Sequence, residues 1–84
     1  LDLKPTKNLL FLRYTDRPGV VGVVGNALGK LKINIADMQV GRTQEGGQAL
    51  MALTVDSLIP KEIIDVISKE TGASLVRFVN LVNE

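Results

Sequence analysis

The stretch Tyr14-Thr15-Asp16-Arg17-Pro18-Gly19-Val20-Val21-Gly22 sets a strand end, a sharp turn and a helix start within nine residues. Before it, Leu9-Leu10-Phe11-Leu12-Arg13-Tyr14 is short and rich in apolar and aromatic side chains, the pattern of a strand that stops at turn-forming residues. Pro18 suits a first helical turn, where a missing N–H costs nothing, and Asp16 or its neighbour is placed to cap that turn. The helix is expected over 19–31, because Val20, Val24, Ala27, Leu28 and Leu31 recur on one helical face. Gly22, Gly25 and Gly29 share a face of that helix, at roughly 1 kcal/mol each relative to Ala. Close approach to a sheet or to a partner backbone is one reason for them; simple tolerance is the plainer one.

The rest of the chain completes the pattern. A second strand is expected over 33–42, from the β-branched Ile33 and Ile35 through Met38 and Val40, with broken alternation between Ala36 and Met38 marking a bulge or twist. Glu45-Gly46-Gly47 reads as a hairpin turn, and 48–55 as a third strand. There Ala49, Met51, Leu53 and Val55 oppose Leu50, Ala52 and Thr54, so helices cover one face and the other is left open. Pro60 marks a second helix start, with Glu62 in its first turn. Ile63, Val66, Ile67 and Glu70 trace its face with Ile64 beside it, and Gly72 is the left-handed stop. A last strand covers 73–82.

The order strand-helix-strand-strand-helix-strand, with right-handed crossovers, puts both helices on one side of a single sheet. The fold class is therefore α+β: a two-layer, ferredoxin-like βαββαβ sandwich with an antiparallel sheet in the order 4-1-3-2. The second and fourth strands are edges, and pairing of the 33–42 edge with its copy is the expected route to a homodimer.

Composition narrows the chemistry. The 84 residues are 45% hydrophobic and 23% charged, with a net charge of +1, so one domain with a thin stability margin is expected. Charge is not gathered into a basic stripe, and nucleic acid is not an expected partner. No apolar run is long enough to span a membrane. The chain contains no Cys and no His, which removes disulfides, thiolate metal loops, His acid–base chemistry and the Ser-His-Asp arrangement. Base stacking on sheet aromatics has only Phe11 or Tyr14 to work with. No Gly-x-Gly-x-x-Gly fingerprint follows the first strand, so dinucleotide binding is not expected here, and no metal site is expected either. The chain starts at Leu1 and is read as a piece of a longer protein, with 1–8 as a linker from a preceding domain and 9–84 as the folded unit.

Two places carry candidate binding chemistry. The first turn of the 19–31 helix presents N–H groups that favour a carboxylate, and Gly19 lets a ligand come close. Asp16 nearby suits an ammonium. A ligand with both groups is an amino acid. Asn34, in Lys32-Ile33-Asn34-Ile35-Ala36-Asp37, offers donor and acceptor together, although Asn also serves simply to close helix-to-strand turns. Asn34 and Asp16 are expected at one end of the sheet.

Asp16-Arg17-Pro18-Gly19-Val20-Val21-Gly22, then Leu28, Ile33-Asn34-Ile35, Gly46-Gly47 and the alternating third strand resemble an ACT domain. Among ACT domains the chain is most similar to the C-terminal regulatory domains of the D-3-phosphoglycerate dehydrogenases. The resemblance implies an effector-binding module, not a catalyst: such domains pair through edge strands, and L-serine binds between protomers and inhibits the enzyme. It implies effector contacts at Tyr14, Asp16 and Asn34, within a binding stretch Tyr14, Asp16, Arg17, Pro18, Gly19, Val20, Asn34 and Ile35. Some members carry His where this chain has Tyr14, and Asn where it has Asp16. The resemblance further implies that NAD belongs to the catalytic domains of a parent enzyme, that this domain holds no cofactor, and that the setting is cytoplasmic. The alternatives are a structural dimerisation module, whose turn is only a helix cap, and a sensor of another amino acid on a different metabolic enzyme.

Overall fold

The computed structural model describes residues 6–42 and 47–82. Six elements follow in the expected order: β1 (Thr6–Thr15), α1 (Val20–Lys30), β2 (Ile35–Arg42), β3 (Gln48–Val55), α2 (Lys61–Thr71) and β4 (Leu75–Val82). The sheet is antiparallel with the order β2-β3-β1-β4, which is the expected 4-1-3-2 read from the other edge. β1 starts at Thr6, so 6–8 belong to the sheet and pair with β4, where the sequence suggested a linker. Residues 1–5 of that linker, and Glu45-Gly46 of the expected hairpin turn, lie outside the described residues.

Strand alternation decides what is covered. Leu10, Leu12 and Tyr14 of β1 and Ala49, Met51, Leu53 and Val55 of β3 are buried on the helix side, against Val20, Val24 and Leu28 of α1 and Ile67 of α2. Burying a Leu or Val side chain fully stabilises by about 1.5–3 kcal/mol, so these central rows hold the two layers together. Val76 and Phe78 extend the core from β4. Asn8, also buried, accepts a hydrogen bond from Asn80 Nδ2 at 2.6 Å, which satisfies a polar pair at the far end of the sheet. The opposite face carries Leu50, Leu75 and Leu81 exposed.

The element ends show where local signals were overruled. α1 begins at Val20 with Gly19 as its N-cap, at φ 96°, so Pro18 precedes the helix instead of opening it, and no side chain caps this end, Asp16 included. At the other end Lys32 takes a left-handed φ of 58°; its N–H donates to Gly29 O and the Ile33 N–H to Leu28 O. That is the Schellman closure with Lys where Gly is usual. It delays β2 to Ile35 and turns Leu31 outward, off the expected face. The bulge falls between Ile35 and Asp37, one residue before the expected break between Ala36 and Met38. In α2 the inward side is Ile63, Ile64, Ile67 and Thr71; Val66 and Glu70 are exposed, contrary to the expected stripe. Thr71 Oγ1 donates to Ile67 O at 2.6 Å, and Gly72 closes the helix at φ 67°, as expected. A Cβ built on Gly22, Gly25 or Gly29 meets nothing within 4 Å, so close approach to the sheet does not explain these glycines.

Candidate functional site

β2 runs parallel to β1, two strands away, so its C-terminal end lies beside the β1-to-α1 turn. Arg42 pairs in register with Ala49, and Ala49 with Tyr14, giving one row across three strands on the helix side. Beside that row is a cleft of about 400 Å³ lined by Tyr14, Asp16, Arg17, Pro18, Gly19, Val20, Val21, Val40 and Arg42.

The turn is fixed from three directions. The Asp16 N–H donates to Gly47 O at 2.8 Å, which ties the turn to the start of β3. Arg17 Nη2 donates to Thr71 O at 3.0 Å and Glu70 O at 3.3 Å, satisfying carbonyls at the C-terminal end of α2, where a cation also suits the helix dipole. Gly19 then supplies the left-handed step into α1. The first bond of that helix runs from the Val23 N–H to Gly19 O at 3.0 Å. The N–H groups of Val20, Val21 and Gly22 come before it, have no acceptor within the helix, and favour an anion at the cleft.

One ion pair crosses the cleft mouth: Arg42 Nε lies 3.1 Å from Asp16 Oδ2. Tyr14 is only 2% exposed. Burial raises its phenol above the ordinary value of 10.0, the Asp16 charge raises it further, and Arg42 opposes both, so the hydroxyl stays protonated at neutral pH. Among the described residues no three His, Cys, Asp or Glu side chains gather to hold a metal ion. The cleft therefore presents an anion, a cation, a helix N-terminus, a hydroxyl and an apolar wall of Val20, Val21 and Val40. That set suits a small zwitterion.

Tyr14, Asp16, Arg17, Pro18, Gly19 and Val20 thus come together. Asn34 and Ile35 do not. Asn34 sits beside Asp56 at the end of β3: its N–H donates to Asp56 Oδ1 at 3.0 Å, its Nδ2 to Oδ2 at 3.1 Å, and Asp56 N–H returns to Asn34 O at 3.1 Å. The ladder from Thr15↔Gln48 to Asn8↔Val55 separates the two places by about 23 Å at ~3.3 Å per residue. The expectation that Asp16 and Asn34 share one end of the sheet is wrong for a single protomer. β1 and β2 run in the same direction, so the start of one strand cannot lie with the end of the other. Arg42, Val40 and Val21 were missed. The parallel direction of β1 and β2, already implied by the topology, was the signal for Arg42.

The ACT domain pattern matches residues 8–72 of the chain. The chain belongs to the ACT domain family. This ACT domain is 39% identical over 72 residues to part of the D-3-phosphoglycerate dehydrogenase of Synechocystis sp., covering 86% of the chain and 13% of the relative. It is 37% identical over 81 residues to that of Bacillus subtilis, covering 96% and 15%. The chain thus spans about one seventh of the length of these relatives. Its fold is shared with a formyltetrahydrofolate deformylase from Pseudomonas syringae, at a TM-score of 0.75 and 21% identity over 89% of this chain and 27% of that one.

Gly19 gives a test of the turn. The sequence alone suggested that Gly19→Val would harm ligand binding more than folding. With φ at 96° a branched residue is strained there, by about 1–2 kcal/mol or more, although a Cβ has open space. Gly19→Val is expected to lower the melting temperature as well as the affinity. An unchanged melting curve would show that the turn does not hold this left-handed conformation.

Proposed function

We propose that this ACT domain is the amino-acid-binding regulatory domain of a D-3-phosphoglycerate dehydrogenase, and that L-serine is the effector through which the cytoplasmic enzyme is feedback-inhibited. The observation that carries this reading is the Asp16–Arg42 pair beside the N-terminus of α1, in an open cleft of about 400 Å³ with room for an amino acid. The similarity to D-3-phosphoglycerate dehydrogenases supports the parent enzyme, whose other domains would hold NAD and the catalytic groups.

Homodimerisation through β2 belongs to the proposal. Two β2 edges paired antiparallel about the strand centre bring the partner's Ile35 opposite Arg42, and the partner's Asn34 next to the cleft mouth. The effector then lies between protomers, with Tyr14, Asp16 and the 17–20 turn from one and Asn34 and Ile35 from the other. Edge pairing also removes the unpaired backbone groups of β2.

A structural dimerisation module is the second reading. It is favoured by the internal bonds that occupy Arg17 and Asn34. Calorimetric titration with each of the twenty amino acids separates the two, with binding of L-serine as the expected result. Sedimentation is expected to show a dimer at micromolar concentration. A stable monomer at high micromolar concentration removes the two-protomer site, and a dimer that binds no amino acid leaves the structural module.

A further inference from the structure

We propose that Arg42 reads the effector's carboxylate, and that its ion pair with Asp16 is the resting form of the cleft, opened when an α-amino-acid zwitterion inserts between the two side chains. The inference rests on the amino-acid reading above and names the charge pattern that the site demands.

The two partners are held very differently. Asp16 is 14% exposed, anchored through its own N–H to Gly47 O. Arg42 is 66% exposed, on the edge strand at the end of a long, rotatable stem. Its Nε makes the contact with Asp16, and among the described residues its terminal nitrogens make no other bond. Such an exposed pair is weakly held, so Arg42 swings away at little cost. What it leaves behind is an uncovered Asp16 carboxylate, free to take an ammonium in place of the guanidinium.

A zwitterion resolves this without any net change of charge. Its ammonium replaces the guanidinium on Asp16, and its carboxylate replaces Asp16 on Arg42, whose fork donates to both oxygens. The helix N-terminus reinforces the carboxylate end. Val20, Val21 and Val40 line the remaining wall, against which a short side chain packs. A ligand with only one charge breaks the pair and satisfies one half of it. An amine strands Arg42, and a hydroxy acid strands Asp16.

The test is calorimetric titration of the full chain, and of its Arg42→Gln and Arg42→Lys variants, with L-serine, glycerate and ethanolamine. Glycerate replaces the ammonium by a hydroxyl; ethanolamine lacks the carboxylate. Wild-type protein is expected to bind L-serine at least about tenfold more tightly than either analogue. Arg42→Gln should weaken L-serine by about ten- to hundredfold with the melting temperature little changed, and Arg42→Lys should recover part of the loss. Serine affinity unchanged in Arg42→Gln, or glycerate bound as tightly as serine, overturns the role of Arg42 and leaves the effector reading standing. A wild-type chain that binds none of the twenty amino acids overturns both.

Discussion

Leu12→Ala is expected to cost about 2–5 kcal/mol of folding stability, the range for removing a large side chain from a packed core. Leu12 is 0% exposed and lies in register between Met51 of β3 and Val76 of β4, one row below Tyr14 and the cleft. For a domain of this size each kcal/mol shifts the melting temperature by about 4–8 °C, so a fall of at least about 8 °C is expected. Leu50→Ala is the internal control. Leu50 is 50% exposed on the open face, and its truncation should cost under about 1 kcal/mol. Equal losses in urea melts of the two variants would mean that Leu12 is no more deeply packed than Leu50.

The second large effect concerns Asp16 and Asn34. Each is expected to contribute a hydrogen bond to a charged group of the effector, worth about 1.5–3 kcal/mol. Asp16→Ala and Asn34→Ala should therefore each weaken L-serine by about ten- to hundredfold. The structure adds a condition. The two residues lie at opposite ends of one sheet, so coupling in the double variant requires two protomers. Non-additive losses in the dimer are the expected result, with the dimer intact in every variant. Asn34→Ala also breaks the fork to Asp56, so its melting curve must be recorded beside its affinity. Unchanged serine affinity in both single variants would remove this site. Losses that add without coupling would mean that the two residues do not share one ligand.

The cleft was legible in the sequence to the extent that it is local. Asp16, Arg17, Pro18, Gly19 and Val20 are consecutive, and a turn entering a helix brings its own residues together whatever the rest of the chain does. Arg17 still took an unforeseen part: its guanidinium bridges to carbonyls of α2, more than fifty residues away. Arg42 was not singled out, because its importance comes from ending a strand that runs parallel to β1 with β3 between them. Neither fact is visible in the residues around it.

Periodicity and turn chemistry by themselves determined the element order, the sheet order, the two-sided alternation of β3, an irregularity early in β2 and the stop at Gly72. Each follows from contacts between near neighbours in the chain, or from the handedness of a crossover, and these need no knowledge of distant packing. Tertiary structure alone decided that Asp16 pairs with Arg42 and does not cap α1, and that Asn34 holds Asp56 at the far end of the sheet. Both are choices of a charged or polar group among several partners. Such choices are settled by strand direction and register, which carry side chains tens of residues apart to within hydrogen-bonding distance.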